Sequence, residues 1–254
     1  MNIVLLQTDI VWGQPQTNIE RIEQLLPADA TDLIVLPEMW ATGFVTEPEG
    51  VAEEESLSTA LAWMKRTAIG RDCAVSGSLA VKDQDGSYRN RHYFVTPQQC
   101  HYYDKHHLFT HGHEDRHYQA GQQPVIVEWR GIRFLLLTCY DLRFPVWSRY
   151  GRAGKYDAII LVANWPASRQ LAWDTLVRAR AIENQCYLVA VNRVGIDAND
   201  IVYEGGSAVI DPIGRTITSC TKNAEQAVFA VLDIEKLHKM RQHFRVLDDR
   251  DQSM

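Results

Sequence analysis

Several features that mark other classes of protein are missing from this chain of 254 residues. No apolar run approaches the roughly 18 residues that cross a membrane, and no basic segment with an apolar core and a small-residue cleavage site precedes the strand-like segment Asn2 to Gln7. We therefore expect a cytoplasmic protein that does not act at a membrane.

An excess of positive charge is also missing. The formal net charge is −6 and the isoelectric point is near 5.8, so the chain has no general electrostatic attraction for nucleic acid or for an anionic membrane surface. Small molecules or other proteins are therefore the expected partners.

The chain contains few cysteines, and their spacing does not indicate a disulfide framework. The five cysteines include no CxxC pair that would suggest zinc or a redox site, and an odd number without regular spacing indicates reduced thiols. Cys73, Cys186 and Cys220 lie in or beside apolar stretches, and Cys100 lies in a polar connection. Cys139 alone has an unusual context.

No linker, internal repeat or low-complexity tract divides the chain, so we expect a single domain over residues 1–254. Strand-like segments such as 32–37 and 158–163 alternate with helical patterns such as 55–69, which predicts an α/β fold with helices covering mixed sheets. Thr17 and Glu20 have the spacing of a helix capping box. Residues 238–254, rich in His, Arg and Asp, are weakly periodic and are expected to be a C-terminal arm or tail.

Cys139 ends the apolar run of residues 133–138 and opens a polar segment, CYDLRFP. This places a thiol at the carboxyl end of a buried strand, where open α/β sheets build their sites. A helical turn starting there would favour the thiolate through its unpaired N–H groups, as a nucleophile requires. The alternative is that Cys139 is a small buried hydrophobic residue.

Glu38 and Lys105 also follow predicted strands. Glu38 comes directly after DLIVLP, and Lys105 follows the aromatic segment of residues 101–103. Taken singly, a carboxylate that emerges into solvent and a solvated surface lysine are the ordinary interpretations. Three strand ends that converge could instead form one site, with Glu38 as a general base.

Residues 111–117 offer a rival chemistry. His111, His113 and His117, with nearby carboxylates, almost match the HxHxDH signature of dizinc hydrolases, and such residues are good zinc ligands. Arg116 separates Asp115 from the last histidine and breaks the signature. We therefore rank zinc catalysis below thiol catalysis and expect no metal.

The three motifs LPEMW, YDKHHLF and CYDLRFP, in this order and spacing, resemble the nitrilase or carbon-nitrogen hydrolase superfamily. The resemblance implies a four-layer αββα sandwich with two mixed β-sheets, usually dimerised, and a triad that needs neither metal nor cofactor. The triad roles fall to Glu38, Lys105 and Cys139. A supporting carboxylate corresponds to Glu114, nine residues after Lys105; the alternative is that Glu114 pairs with a neighbour such as Arg116.

The resemblance also bears on the substrate. CYDLRFP is similar to the amidase branches rather than the nitrile-hydrolysing branch, and with ANWP and RARAIEN the chain looks closest to the omega-amidase branch. This implies a small-molecule substrate, the terminal amide of a 2-oxo dicarboxylic monoamide such as 2-oxoglutaramate. Another small linear amide, such as a deaminated peptide or a carbamoyl compound, stays open, as does a catalytically idle binding protein.

Four residues are candidates for substrate binding. The main-chain N–H of Tyr140 would be a second donor to an oxyanion beside Lys105. Phe44, Tyr140 and Trp165 could line a small pocket, although aromatic residues there could equally be core packing. The anionic end of the substrate needs a cation, for which Arg143 and Arg169 are near; Arg143 could instead pair with Asp141 or a helix end.

Overall fold

The computed structural model describes residues 1–251 of the chain. Its strands are β1 (Asn2–Gln7), β2 (Leu33–Val35), β3 (Glu53–Glu54), β4 (Ala74–Lys82), β5 (Tyr88–Val95), β6 (Cys100–Asp104), β7 (Ile126–Trp129), β8 (Ile132–Thr138), β9 (Ala158–Ala163), β10 (Tyr187–Asn192), β11 (Val194–Ile196), β12 (Val202–Glu204), β13 (Ala208–Ile210), β14 (Thr216–Ser219) and β15 (Gln226–Val231). Its α-helices are α1 (Pro15–Leu25), α2 (Thr59–Arg71), α3 (Pro145–Ser148), α4 (Gln170–Glu183) and α5 (Ile234–His243).

The strands form two large mixed sheets and a small hairpin. The first sheet has the order β15-β1-β2-β4-β5-β6, with β3 added beside β4, and the second has the order β14-β13-β10-β9-β8-β7. Parallel pairing joins β1 to β2, β2 to β4, β8 to β9 and β9 to β10, and antiparallel strands complete both sheets. β11 and β12 form a separate hairpin.

Three apolar cores separate four layers. The two sheets pack face to face, as shown by Phe94 and Phe134, whose ring centroids are 5.7 Å apart. The outer face of the first sheet is covered by α1 and α2, and the outer face of the second by α4, which contributes the buried Trp173. The predicted αββα sandwich with two mixed sheets is therefore confirmed.

The central strands explain why the sequence reads as continuous apolar runs. Every residue of β9 and β10 is buried, because parallel strands at the centre of a covered sheet have no solvated face. Such strands can become polar only where they end. The polar residues of β9 and β10 are consequently confined to the strand ends.

Two local predictions were wrong. The capping box of Thr17 and Glu20 does not form, because α1 begins earlier, at Pro15, whose missing N–H costs nothing in the first turn. The predicted helix 55–69 starts as a single 3₁₀ turn, and α2 begins only at Thr59, where the hydroxyl of Ser58 accepts a hydrogen bond from the N–H of Leu61.

The C-terminal segment predicted from residue 238 begins inside α5. This helix packs on the domain through the buried Leu237 and through Arg241, which donates to the main-chain oxygens of Gln185 and Tyr156. Residues 252–254 of that segment lie outside the described residues. Within residues 1–251, all five cysteines are free and no helix has the length and apolar character that would let it cross a membrane.

Candidate active site

The strand ends bring the three candidate residues together, as the sequence predicted. Glu38 follows β2, Lys105 follows β6 and Cys139 follows β8. The side chains of Glu38 and Lys105 have no solvent exposure, and Cys139 is 9% exposed. Charged groups are seldom buried unless they are paired. The site therefore has to satisfy these charges internally.

Lys105 supplies most of that pairing. Its Nζ donates to Glu38 Oε1 at 2.9 Å and to Glu114 Oε2 at 2.9 Å. Glu114, on a short 3₁₀ turn, is fully buried, and its Oε2 also accepts the main-chain N–H of Phe109 at 2.6 Å. Glu114 thus contacts Lys105, as the resemblance implied, and not its neighbour Arg116.

Asn90 is a residue of this site that sequence reasoning missed. It lies on β5, and its Nδ2 donates to Glu38 Oε1 at 2.8 Å and to Glu114 Oε1 at 2.9 Å. Two carboxylates are therefore bridged twice, once by a cation and once by a neutral amide. We call Glu38, Lys105, Glu114 and Asn90 the buried ring.

Asn164, which follows β9, was also missed. Its main-chain N–H donates to Glu38 Oε2 at 2.8 Å, and its main-chain oxygen accepts from Cys139 Sγ at 3.8 Å. One residue therefore contacts both the carboxylate and the thiol. The only sequence signal was its position directly after a strand, in the ANWP motif.

Cys139 lies in a strained backbone conformation. Its φ is +45°, and Met39, directly after Glu38, has φ +41°. This left-handed region costs a non-glycine residue about 1–2 kcal/mol, so the surroundings must hold both residues there. The sharp turn ends β8 and leaves the thiol beside the buried ring.

The predicted preference for the thiolate was wrong. Burial raises the pKa of the Cys139 thiol well above its ordinary value, and the charge of Glu38 raises it further, although Lys105 acts in the opposite direction. The turn that begins at Cys139 is a single short 3₁₀ segment, too short to offset this burial. The resting group is a thiol that needs a base.

Lys105 keeps its charge despite complete burial. Burial by itself would lower the pKa of Lys105, but the charges of Glu114 and Glu38 outweigh it, so the pKa of Lys105 is raised. Burial raises the pKa of Glu114, and Lys105 opposes that change. The ammonium group is therefore a permanent positive charge close to Cys139.

Asp141 anchors the turn that carries Cys139. Its buried carboxylate accepts hydrogen bonds from the N–H of Thr138 at 3.0 Å, the hydroxyl of Tyr103 at 2.8 Å and the N–H of His107 at 3.0 Å. Arg143 is not among these partners, so the alternative pairing of Arg143 with Asp141 is wrong.

A cavity of about 270 Å³ opens at Cys139. All four candidate substrate-binding residues line it: Phe44, Tyr140, Arg143 and Trp165. Arg169 also lines it, together with residues of the β11–β12 hairpin that sequence reasoning did not identify, among them Tyr203. The lining therefore combines aromatic rings with two guanidinium groups and the carboxylate of Asp197.

Neither guanidinium is neutralised within residues 1–251. Arg143 lies over the ring of Trp165, with 4.8 Å from Cζ to the centroid, and Arg169 lies over Phe109 at 5.4 Å. No carboxylate oxygen of the described chain lies within 4 Å of either group. The aromatic rings hold the two guanidinium groups in position, and the N–H donors of both groups stay available to an anion.

The histidine-rich segment does not form a metal centre. No group of three or more His, Cys, Asp or Glu residues in the described part of the chain is arranged to hold a metal ion. His111 lines the cavity, while Glu114, which would be only a spacer in that signature, contacts Lys105 in the buried ring.

Comparisons with known proteins agree with this arrangement. The carbon-nitrogen hydrolase family pattern matches residues 2–242. Omega-amidase YafV of Escherichia coli K12 is 42% identical over 99% of this chain and 97% of its own length, and 2-oxoglutaramate amidase of Bacillus subtilis 168 is 34% identical over 97% and 96%. The crystal structure of XC1258 from Xanthomonas campestris, a CN-hydrolase superfamily protein with an arsenic adduct in its active site, is 37% identical and has a TM-score of 0.93, covering 100% of this chain and 98% of that one.

The family match and these relatives thus cover nearly the whole chain. The chain belongs to the carbon-nitrogen hydrolase family and is an enzyme.

Proposed function

We propose that this enzyme is an amidase that hydrolyses the terminal amide of a small 2-oxo dicarboxylic monoamide, of the 2-oxoglutaramate type, to the acid and ammonia. The observation that carries the proposal is the cavity itself: Cys139, which lies beside the buried ring, lines it together with two unpaired guanidinium groups. The names of the relatives, omega-amidase and 2-oxoglutaramate amidase, support this substrate class.

The first half of the reaction forms a thioester. Glu38 accepts the thiol proton of Cys139 as the sulfur attacks the amide carbonyl carbon, because a thiol with a raised pKa needs its base in the same step. The carbonyl oxygen becomes an oxyanion, which Lys105 and the main-chain N–H of Tyr140 stabilise. When the tetrahedral intermediate collapses, the carbon–nitrogen bond breaks and the nitrogen takes the proton from Glu38, which releases ammonia.

The second half of the reaction hydrolyses the thioester. Glu38, again ionised, removes a proton from a water molecule as the water oxygen attacks the thioester carbonyl carbon. The second tetrahedral intermediate collapses, the carbon–sulfur bond breaks, and the Cys139 sulfur regains a proton from Glu38. One carboxylate thus serves in turn as base, acid, base and acid, and the chain's own residues supply every step.

Glu114 supports this chemistry without touching the substrate. It is fully buried and accepts a hydrogen bond from Lys105 Nζ, which also donates to Glu38. A lysine between two carboxylates is fixed in position and keeps its charge. Glu114 therefore positions the cation that faces the oxyanion.

The arginines account for the anionic end of the substrate. A carboxylate next to a 2-oxo group presents several acceptor oxygens in one plane, and guanidinium groups bind such groups through paired N–H donors. Arg169 and Arg143 both line the cavity that contains Cys139. The aromatic walls formed by Phe44 and Trp165 enclose the short chain between the two ends.

The test is ammonia release from 2-oxoglutaramate, glutamine, asparagine and a simple nitrile. We expect activity on the 2-oxo amide, and none in Cys139→Ala. Cys100→Ala, which removes an exposed thiol away from the cavity, is the matched control and should keep full activity. Activity surviving in Cys139→Ala would reject the thioester mechanism, and activity only on another amide of the panel would reject the substrate class.

We also propose that the enzyme acts as a homodimer in the cytoplasm, as the family resemblance implies, with the segment from His238 to Arg250 contributing to the interface. Sedimentation velocity at micromolar concentration should show a dimer. A single monomeric species over that range would contradict it.

A further inference from the structure

Ser78 and Asn90 form a hydrogen-bonded pair behind the buried ring. Asn90 Oδ1 accepts from Ser78 Oγ at 2.9 Å, while Asn90 Nδ2 donates to both Glu38 and Glu114. We propose that this pair is a positioning device for the reaction: it fixes the base Glu38 in place to exchange a proton with Cys139. This inference rests on the proposed function.

The orientation of the Asn90 amide follows from the donors around it. Ser78 Oγ accepts the main-chain N–H of Met39 at 2.9 Å, so its own hydrogen is left to donate to Asn90 Oδ1. The amide oxygen is thereby committed, and both hydrogens of Nδ2 must point to the opposite side. That side holds Glu38 Oε1 and Glu114 Oε1, which as carboxylates can only accept.

The same pair supports the backbone beside the base. Met39 has φ +41°, and its N–H is held by the hydroxyl of Ser78. Because Met39 directly follows Glu38, Ser78 restrains both the strained backbone and, through Asn90, the side chain of the base. Asn90 is only 1% exposed, so water cannot replace its amide as a donor.

Charge explains why a neutral donor is needed here. The ring holds two carboxylates and one ammonium group, so Lys105 alone leaves one negative charge in excess. The other groups that face the ring are the thiol of Cys139, the main-chain N–H groups of Asn164 and Phe109, and Tyr118, whose hydroxyl donates to the main-chain oxygen of Val45. Asn90 donates to both carboxylates, which stabilises their ionised forms without adding a charge that would compete for the thiol proton.

The test replaces the amide by its isosteric acid, Asn90→Asp, in a Cys100→Ser background. The readout is the rate at which iodoacetamide alkylates Cys139, followed by intact mass from pH 5 to 9. A third carboxylate makes the ring bind a proton at higher pH. We therefore expect the acid limb of the rate profile to move to higher pH by about one unit or more. At pH 7 we expect a rate about ten- to a hundredfold slower, the loss typical of a hydrogen bond to a charged group.

Two further variants separate positioning from folding. Ser78→Ala keeps Asn90 but releases its amide, and should shift the profile in the same direction by a smaller amount. Ser76→Ala is the matched control, because Ser76 lies two residues earlier on β4 and its hydroxyl contacts His92 instead of the ring. Thermal unfolding of each variant reports whether it folds, and Ser78→Ala carries the test if Asn90→Asp does not fold.

The profile of Ser76→Ala should coincide with that of the parent. A folded Asn90→Asp with the parent's alkylation profile would overturn the proposal, as would an equal shift in Ser76→Ala and Ser78→Ala. Alkylation of Cys139 does not depend on which amide the enzyme hydrolyses. If the protein is inactive on 2-oxoglutaramate but its variants show the predicted alkylation profiles, the role of Asn90 is supported and only the proposed substrate is rejected.

Discussion

Asn164 donates two hydrogen bonds to Glu38 across 126 residues of sequence. The main-chain N–H of Asn164 donates to Glu38 Oε2, and Asn164 Nδ2 donates to the main-chain oxygen of Glu38, each at 2.8 Å. Glu38 follows a strand of the first sheet and Asn164 a strand of the second. The candidate base is thus fixed at the junction of the two sheets, and the site depends on how they pack.

Removing the base should slow the reaction strongly. We expect Glu38→Gln to lower kcat for 2-oxoglutaramate about 10²- to 10⁴-fold, because a positioned proton-transfer group contributes that much. KM should change little, because Glu38 is not one of the residues that line the cavity. Steady-state ammonia release measures both parameters. Glu225→Gln, which changes a surface carboxylate paired with Arg21, should leave them unchanged; a fully active Glu38→Gln would contradict the assigned role.

Arg169 should decide affinity for the anionic end of the substrate. We expect Arg169→Met to raise KM for 2-oxoglutaramate about ten- to a hundredfold, the loss typical of hydrogen bonds to a charged group. An uncharged amide of similar length should be hydrolysed as before, because it makes no such bond. Arg178→Met, on the outer surface of α4, is the control. Equal losses for charged and uncharged amides would show that Arg169 has a structural role instead.

Asp141 should matter for stability and activity together. Its carboxylate accepts from Thr138, Tyr103 and His107 and holds the turn of Cys139 in its strained conformation. We expect Asp141→Asn to lower the free energy of unfolding by about 3 kcal/mol, because a buried acceptor of several bonds is partly replaced by a donor. Urea unfolding and kcat check the two effects, and Tyr103→Phe, which removes one of the bonds, should show a smaller loss of each.

His92 should make the fold sensitive to acid. Burial lowers the pKa of His92 to about 3, whereas an unfolded histidine has a pKa near 6.5. Between these values the unfolded chain binds a proton that the folded protein does not, so stability is complete above pH 6.5 and falls as the pH decreases towards 3. One proton lowers the free energy of unfolding by about 2 kcal/mol between pH 6.5 and 5.

The measurement is urea unfolding at those two pH values, with His92→Gln as the comparison. Glutamine can keep polar contacts with Ser76 and the main-chain oxygen of Leu137 but does not titrate. The variant should therefore lose less stability than the parent over this interval. Equal losses in the two proteins would mean that other groups cause the acid sensitivity.

Much of the candidate site could be predicted because polar side chains are conspicuous where strands end. Glu38 and Cys139 each follow an apolar strand, Lys105 follows the mostly unburied edge strand β6, and the structure brings the three together. Asn90 is not conspicuous in this way, because it lies within β5 and looks like any other polar residue of a strand. Its role depends on Glu38 and Glu114, which come from distant segments.

Local rules failed where tertiary contacts outweighed them. Thr17 and Glu20 satisfy the spacing of a capping box, yet Pro15 lets α1 start one turn earlier. The turn at Cys139 was expected to favour a thiolate, yet burial and the charge of Glu38 raise the pKa of the thiol. Spacing along a chain does not report how deeply a group is buried.

The sequence by itself determined the alternation of strands and helices, the apolar cores and the strand ends at which polar residues occur, because these depend on periodicity and composition. Only the tertiary structure decided which of those polar residues touch, which guanidinium groups stay unpaired, and whether Cys139 rests as a thiol. Those properties depend on distance and burial, and groups far apart in sequence set both when the two sheets pack together.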